Sequence, residues 1–129
     1  MIKTGIDIID IKRIENACKN DRFLDKILTL TELKYVEKKA GMVDGEKKLP
    51  YATIAGLFAA KEAASKALGT GLLVGGVGFL DIEIDHTKFG APILNFYGKA
   101  AKLCGDKPQC SVSISHDAGI ATAIVCILG

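Results

Sequence analysis

Apolar residues recur along this chain at two different spacings, which separate predicted strands from predicted helices. In residues 1–9, Ile6 and Ile8 alternate with Gly5 and Asp7, and a period of two predicts a short strand with these pairs on opposite faces. Alternation or an unbroken apolar run predicts later strands over 81–85, 93–97, 109–116 and 120–128. The last of these is so apolar that we expect it to be a buried strand.

Helical spacing predicts one long helix and several short ones. The long helix runs from near Pro50 to Leu68, and Gly69-Thr70-Gly71 ends it because glycine readily adopts the left-handed conformation found at helix C-termini. Short helices are predicted over 11–19, 22–28, 32–40 and 99–104. Their expected N-terminal caps are Asp10, Asp21 and Thr31.

These elements predict an α+β fold. The polar, glycine-containing segment 41–49 is expected to be a mobile loop, and 72–78 a glycine-rich connection. With about five strands and four or five helices, we expect a small antiparallel sheet packed on the long helix.

Composition limits the classes of protein that this chain can be. Its 129 residues, 49% of them apolar and 25% charged, predict a single domain over 1–129. A net charge of +2 is too small to favour nucleic acid, although the basic excess lies in the first 70 residues. No signal peptide or membrane-spanning apolar run is visible, and four cysteines without metal-binding spacing indicate free thiols, so we expect a cytoplasmic protein without a membrane association.

Three ionisable residues are candidates for chemistry. Asp7 lies inside an apolar strand, where a carboxylate is costly to bury without a partner. Glu62 and Lys66 are four residues apart and therefore share a helix face. One interpretation is that this pair is an exposed ion pair without a function. The alternative is that it forms a phosphate-handling site with Asp7, in which two carboxylates hold Mg²⁺ and the lysine faces phosphate oxygens.

A basic side of the first helices has two interpretations. Arg13, Lys19 and Arg22 fall together, and such a cluster is most often a solvated face. The alternative is a dock for an acidic partner protein.

Several familiar motifs are excluded. Gly69-Thr70-Gly71 does not continue into a dinucleotide fingerprint, since position 74 is Val74, and there is no phosphate-binding P-loop. Ser115, His116 and Asp117 are consecutive in a strand, so they point to opposite faces and cannot form a catalytic triad. His116 is either structural or, at its strand end, a ligand contact.

Two motifs carry a family resemblance. The sequence G-I-D-I-I-D-I-K-R-I over 5–14, followed by F-A-A-K-E-A-A-S-K-A-L-G-T-G over 58–71, resembles the holo-[acyl-carrier-protein] synthases, the small bacterial 4′-phosphopantetheinyl transferases. The segment S-I-S-H over 113–116 is similar to the family's closing strand. The turn K-F-G-A-P over 88–92 falls where the family has G-K-P, with Ala91 in place of the lysine.

The resemblance implies an activity and a cofactor. Such enzymes move 4′-phosphopantetheine from coenzyme A to a serine of apo-acyl-carrier protein, release adenosine 3′,5′-bisphosphate and support fatty acid biosynthesis. They are homotrimers that bind coenzyme A between subunits. By resemblance, Asp7 and Glu62 hold Mg²⁺ and Lys66 neutralises the attacked phosphate.

The resemblance also implies binding residues. The expected coenzyme A contacts are Lys61, Lys66, Gly69, Thr70, Gly71, Pro92 and His116. Backbone N–H groups of the glycine turn are expected to reach phosphate, and His116 is expected to face the cofactor from a neighbouring subunit. Arg13, Lys19, Arg22 and Phe23 are expected to dock the acidic carrier protein. The competing hypothesis is a trimeric module that binds coenzyme A or another nucleotide without turnover.

Overall fold

The structure, a computed structural model, describes residues 1–72, 76–105 and 107–129. In chain order the strands and helices are β1 (Ile2–Asp10), α1 (Ile11–Ala17), α2 (Phe23–Ile27), α3 (Leu30–Lys39), β2 (Gly41–Val43), β3 (Glu46–Lys48), α4 (Tyr51–Leu68), a 3₁₀ turn (Phe79–Asp81), β4 (Ile82–His86), β5 (Pro92–Phe96), α5 (Gly98–Cys104), β6 (Gln109–Asp117) and β7 (Ile120–Leu128). Part of the predicted connection over 72–78 lies outside the described residues.

The main sheet is antiparallel with strand order β1–β7–β6, so the first and last strands of the chain pair with each other. Asp7 lies opposite Ala123, which in turn lies opposite Ile114. The long helix α4 packs across all three strands, while β2–β3 and β4–β5 form two separate hairpins. The predicted α+β class, with a small antiparallel sheet on one long helix, is confirmed.

Two local predictions at helix N-termini are wrong and one is confirmed. Asp10 caps α1 by accepting a hydrogen bond from the backbone N–H of Lys12 at 2.9 Å, as predicted. The cap of α3 is Thr29, not Thr31, because Thr29 and Glu32 form a reciprocal capping box. The segment before α2 uses no side-chain cap, so Asp21 does not have the expected role.

The segment expected to be a mobile loop contains the β2–β3 hairpin. Asp44 and Gly45 both have positive φ, 52° and 79°, which is the geometry of the tight turn that Asp-Gly favours between antiparallel strands. The strands are only three residues long and fully exposed, so they carry no alternating apolar pattern that sequence reasoning could detect.

Strand β7 is buried on one face only, which corrects the expectation of a fully buried strand. Ala121, Ala123, Val125 and Ile127 lie in the core against α4. On the other face Ile124 is 43% exposed, and its neighbour across the sheet, Ile6, is 62% exposed. The outer face of this sheet is therefore apolar and uncovered in a single chain.

Across the described residues, no helix combines the length and apolar character required to cross a lipid bilayer.

Strand β1 and helix α4 bring their backbones into close contact at Gly5. A Cβ atom at Gly5 would lie 1.9 Å from the carbonyl oxygen of Ala63 and 2.8 Å from the backbone nitrogen of Ala67. The helix presents small residues to the strand, since Ala59, Ala60, Ala63, Ala64 and Ala67 are all buried. Backbone meets backbone at this contact, so no flexible side chain can move aside for a larger residue.

Replacing Gly5 with alanine is expected to destabilise the fold by at least about 1–3 kcal/mol, because the added methyl group overlaps rigid backbone. Chemical denaturation of the purified protein would measure the change in the free energy of unfolding. The matched control is Gly41→Ala, where a Cβ atom meets nothing within 4 Å. Equal stability of the two variants would contradict the packing account.

Candidate functional site

Asp7, Glu62 and Lys66 form the candidate site, at the junction of β1 and α4. The ammonium of Lys66 lies 3.1 Å from Asp7 Oδ1 and also donates to the carbonyl of Ile6 at 2.9 Å. Glu62 precedes Lys66 by one helical turn and faces the same side. The predicted grouping of these three residues therefore exists in the structure, even though 55 residues of sequence separate Asp7 from Glu62.

The charged groups of this cluster could bind a cation through the carboxylates and an anion through Lys66. Burial raises the pKa of Glu62, and the negative charge of Asp7 raises it further, while Lys66 and Arg13 act in the opposite direction. A cation between the two carboxylates would offset the effect of the Asp7 charge on Glu62. The Lys66 side chain is 51% exposed, so its ammonium can also reach a ligand in solvent.

The donor set suits a hard divalent cation held partly by other oxygens. Among the described residues there is no group of three or more His, Cys, Asp or Glu side chains arranged to hold a metal ion. Mg²⁺ is commonly bound by one or two carboxylates, with waters and substrate phosphates completing its coordination. Asp7 and Glu62 fit that pattern, and they do not fit a closed structural zinc site.

The backbone N–H groups of the turn after α4 donate hydrogen bonds to carbonyl groups of the helix itself. The N–H of Gly69 donates to Lys66, and the N–H groups of Thr70 and Gly71 both donate to the carbonyl of Ser65 at 3.2 and 3.3 Å. These three N–H groups terminate the helix, and the backbone phosphate cradle expected here stays a prediction. What the turn offers is the buried Thr70 hydroxyl, which has no hydrogen-bond partner among the described residues.

Lys61 does not belong to the site, and its predicted contact with coenzyme A is wrong. Its side chain is fully buried, with its ammonium 2.6 Å from Glu32 Oε1 and donating to the carbonyl of Phe79 at 2.8 Å. Burial lowers the pKa of Lys61, and the Glu32 carboxylate partly opposes that effect. Glu32 also accepts hydrogen bonds from the N–H groups of Thr29 and Ile84, so this pair connects α3, α4 and β4.

His116 and Pro92 lie together in a different place, a cleft of about 190 Å³ at the N-terminal half of α4. Gly56 lies at its floor, where a Cβ atom would come within 2.8 Å of Ile114. Sequence reasoning missed the second histidine of this cleft, His86, because the two histidines are far apart in the chain. The pairing of β4 with β5 puts His86 opposite Pro92 and thereby brings it to the cleft.

The residues predicted to dock a partner lie on α1, in the turn that follows it and at the start of α2. Arg13, Lys19 and Arg22 are exposed, and none of them forms a salt bridge within the described part of the chain. Phe23 lines an apolar cleft of about 440 Å³ with Phe58, Phe79, Ile27 and Lys26. Because the charge of Arg13 lowers the pKa of Glu62, the basic face and the carboxylate site are neighbours.

Comparison with known proteins confirms the resemblance. The family model of the 4′-phosphopantetheinyl transferase superfamily matches residues 3–124. The holo-[acyl-carrier-protein] synthase of Carboxydothermus hydrogenoformans is 43% identical over 132 residues, covering 99% of this chain and 98% of the relative.

Two solved structures share the fold and carry coenzyme A or a part of it. The Helicobacter pylori holo-[acyl-carrier-protein] synthase in complex with coenzyme A has a TM-score of 0.78 at 35% identity, covering 99% of this chain and 100% of the other. The Bacillus anthracis holo-(acyl-carrier-protein) synthase in complex with CoA (3′,5′-ADP) has a TM-score of 0.74 at 37% identity, covering 97% of this chain and 94% of the other.

Lys61→Met is expected to destabilise the fold by roughly 3–5 kcal/mol, because it leaves the Glu32 carboxylate buried without its counter-charge. Denaturant titration would measure the loss, and the exposed Lys102→Met serves as the control. The double variant Glu32→Gln/Lys61→Met should recover part of the loss, since no charge then remains buried. If the single variant matches its control, the structural role of the pair is wrong.

Proposed function

This chain belongs to the 4′-phosphopantetheinyl transferase superfamily, and from that premise we propose that it is a single-domain holo-[acyl-carrier-protein] synthase. It transfers 4′-phosphopantetheine from coenzyme A to a serine of apo-acyl-carrier protein and releases adenosine 3′,5′-bisphosphate. The observation that carries the proposal is the convergence of Asp7, Glu62 and Lys66 on one face. A module that only bound the nucleotide would not need two carboxylates and a lysine at this position.

The chemistry follows from what these side chains can stabilise. The serine hydroxyl oxygen forms a bond to the phosphorus that carries pantetheine, and the bond from that phosphorus to the bridging oxygen of the pyrophosphate breaks. Lys66 neutralises charge on the phosphate oxygens, since transfer of this kind depends mainly on positioning and electrostatic stabilisation. Asp7 and Glu62 would hold Mg²⁺, which supplies further charge neutralisation at the pyrophosphate.

Two further residues of the chain have proposed roles, Glu62 as the proton acceptor and Thr70 as a phosphate contact. The serine proton must leave as its oxygen attacks, and the Glu62 carboxylate is the acceptor that we propose within this chain. The Thr70 hydroxyl is buried without a partner among the described residues, which supports the proposal that it donates to a phosphate oxygen.

Docking of the carrier protein is supported by the surface next to the site. The exposed Arg13, Lys19 and Arg22 provide positive charge for an acidic helix, and charge complementarity of this kind accelerates association and orients the partner. The adjoining apolar cleft at Phe23 and Phe58 provides a place for an apolar side chain of the carrier. Since the charge of Arg13 lowers the pKa of Glu62, a carrier protein docked at Arg13 would lie next to the proposed transfer site.

A homotrimer is supported by the uncovered sheet face. The outer face of β1 and β7 exposes large apolar side chains, Ile2, Ile6, Ile8, Ile120, Ile124 and Leu128. A contiguous apolar surface of this kind on a folded domain marks an interface. His116 and Pro92 do not line the carboxylate site of their own chain, and association of chains would allow them to contact coenzyme A held by a neighbour.

The proposed substrates support a role in fatty acid biosynthesis in the cytoplasm. Coenzyme A and acyl-carrier protein are substrates of cytoplasmic fatty acid biosynthesis, and we place this enzyme there. The four cysteines remain free thiols in the structure, which is compatible with a reducing compartment.

Glu62→Gln is expected to reduce transfer by roughly 10²–10³-fold, because it removes a negative charge from the metal and proton-acceptor position. Mass spectrometry of apo-carrier protein incubated with coenzyme A and Mg²⁺ would detect the gain of one phosphopantetheine. The matched control is Glu46→Gln, at an exposed position of β3. Activity equal to the control would contradict the assignment, and absence of transfer by the unmodified protein would overturn the proposed function.

Ile124→Glu is expected to convert the trimer to monomers, because it puts three charges into an apolar interface. Sedimentation velocity would measure the mass of the assembly. Leu103→Glu on α5, also half-exposed, should leave the mass unchanged. Transfer should fall with the loss of the trimer, and a monomeric unmodified protein with full activity would contradict the proposed interface.

A further inference from the structure

Two cysteines lie close together in the chain where α5 ends and β6 begins. Cys104 is the last residue of α5, Cys110 is the second residue of β6, and five residues separate them. Both side chains are partly buried against the core, and both carry free thiols. The proposed transfer reaction gives neither of them a role.

The register of the main sheet sets the surroundings of Cys110. Cys110 lies opposite Ile127, and Ile127 in turn lies opposite Lys3, so these three residues form one row across the sheet. Lys3 precedes Asp7 by four residues on β1, which corresponds to about 13 Å along the strand. The row therefore lies outside the carboxylate site.

The thiol of Cys104 reaches the same row from α5. Its Sγ atom donates to the carbonyl of Ala100 at 3.2 Å and to that of Gly105 at 3.3 Å. Burial raises the pKa of the Cys104 thiol, the neighbouring Cys110 raises it further, and Lys3 acts in the opposite direction. Because such effects of one group on another are strong only at short range, Lys3, Cys104 and Cys110 form one cluster.

The connection between the two thiols is short and conformationally restricted. Gly105 has a φ of 83°, which residues with a side chain rarely adopt, and its N–H donates to the carbonyl of Ala101 at 2.7 Å. The chain therefore turns away from α5 directly after Cys104. Pro108, just before β6, has a φ angle fixed by its ring. A short connection of this kind brings two thiols together at a small cost in chain entropy.

A small molecule can reach Cys110. Among the described residues, Cys110 is the cysteine that lines a cleft of about 440 Å³ between β5 and β6. The residues that line this cleft come from β5, from β6 and from the segment just before β6, and none of them belongs to the apolar face of β1 and β7. The proposed trimer interface therefore does not use the described lining of this cleft.

We propose that Cys104 and Cys110 form a reversible disulfide when the protein meets a low-molecular-weight disulfide. The Cys110 thiolate attacks one sulfur of that disulfide, the S–S bond of the small molecule breaks, and the first small thiol leaves. The Cys104 thiolate then attacks the Cys110 sulfur of the mixed disulfide and displaces the second small thiol. Two protein thiols are oxidised, one small disulfide is reduced, and the two protons of the protein thiols pass to the two small thiols.

This modification is suited to a reducing compartment. There a disulfide forms transiently, when the supply of small disulfides rises, and is reduced again afterwards. While it exists, neither sulfur can be oxidised as a thiolate to the irreversible sulfinic acid.

The test uses the full chain and cystamine, the disulfide of cysteamine. After incubation, the remaining thiols are alkylated, and digestion with mass spectrometry identifies each sulfur–sulfur link. We expect an intramolecular link between Cys104 and Cys110, with the loss of two hydrogen atoms, and dithiothreitol should reverse it. The reaction requires no transfer activity, so its outcome is independent of the proposed function.

Three serine variants separate the two steps. Cys104→Ser lacks the thiol that completes the reaction, so it should stop at a stable mixed disulfide on Cys110. In Cys110→Ser the remaining Cys104 should react at least about tenfold more slowly, because its sulfur is less accessible. The control Cys126→Ser should form the same link as the unmodified protein.

Three results would overturn the proposal. The first is a link in the unmodified protein that joins Cys18 or Cys126 to another cysteine in place of the Cys104–Cys110 link. The second is a mixed disulfide on Cys110 that persists although Cys104 is present. The third is the absence of any reaction at both thiols.

Discussion

The contact between the backbones of Gly5 and Ala63 is the constraint on which the functional site depends. The strand can lie this close to the helix only because neither side presents a large side chain there. Asp7 lies two residues beyond Gly5 on the same face of β1. Glu62 and Lys66 lie within one turn of Ala63 on α4. A wider separation would remove the Asp7–Lys66 contact and the effect of the Asp7 charge on the pKa of Glu62. The small residues of α4 therefore position charged groups, although they contribute little apolar surface of their own.

Two lysines of α4 show how much of a residue's role depends on tertiary contacts. Lys61 and Lys66 are five residues apart, which turns their side chains about 140° from each other around the helix. One faces α3 and is fully buried against Glu32, whereas the other faces β1 and solvent. Both belong to one sequence motif, and the motif alone suggested that both bind the cofactor. Burial separates them, because the fully buried Lys61 ammonium, already paired with a carboxylate and a carbonyl, has no exposed surface that a phosphate could reach.

Sequence reasoning succeeded where the physical signal is local and failed where it is not. Strand β1, helix α4 and the Asp10 cap follow from alternation, helical spacing and a short-range hydrogen bond, each of which lies within a few residues. The Glu32–Lys61 pair and the cleft shared by His86 and His116 arise from segments about 30 residues apart, so no single window of sequence contains them. The β2–β3 hairpin is a different case, since Asp44-Gly45 is a usable turn signal that the polar composition around it obscured.

The distance between the carboxylate site and the cleft at His116 bears on the proposal that the ligand is shared between chains. Asp7 and His116 lie on strands two places apart in the sheet and two residues out of register, which corresponds to about 10 Å across and about 7 Å along the strands. They also lie toward opposite ends of α4, with the carboxylate site at the C-terminal half and the cleft at the N-terminal half. One ligand that uses both regions must either span the sheet beneath α4, which is closed by the core, or cross between chains. In the proposed trimer, the uncovered apolar face of β1 and β7 would provide the second arrangement, and it would link assembly to catalysis through a surface that carries none of the proposed catalytic residues.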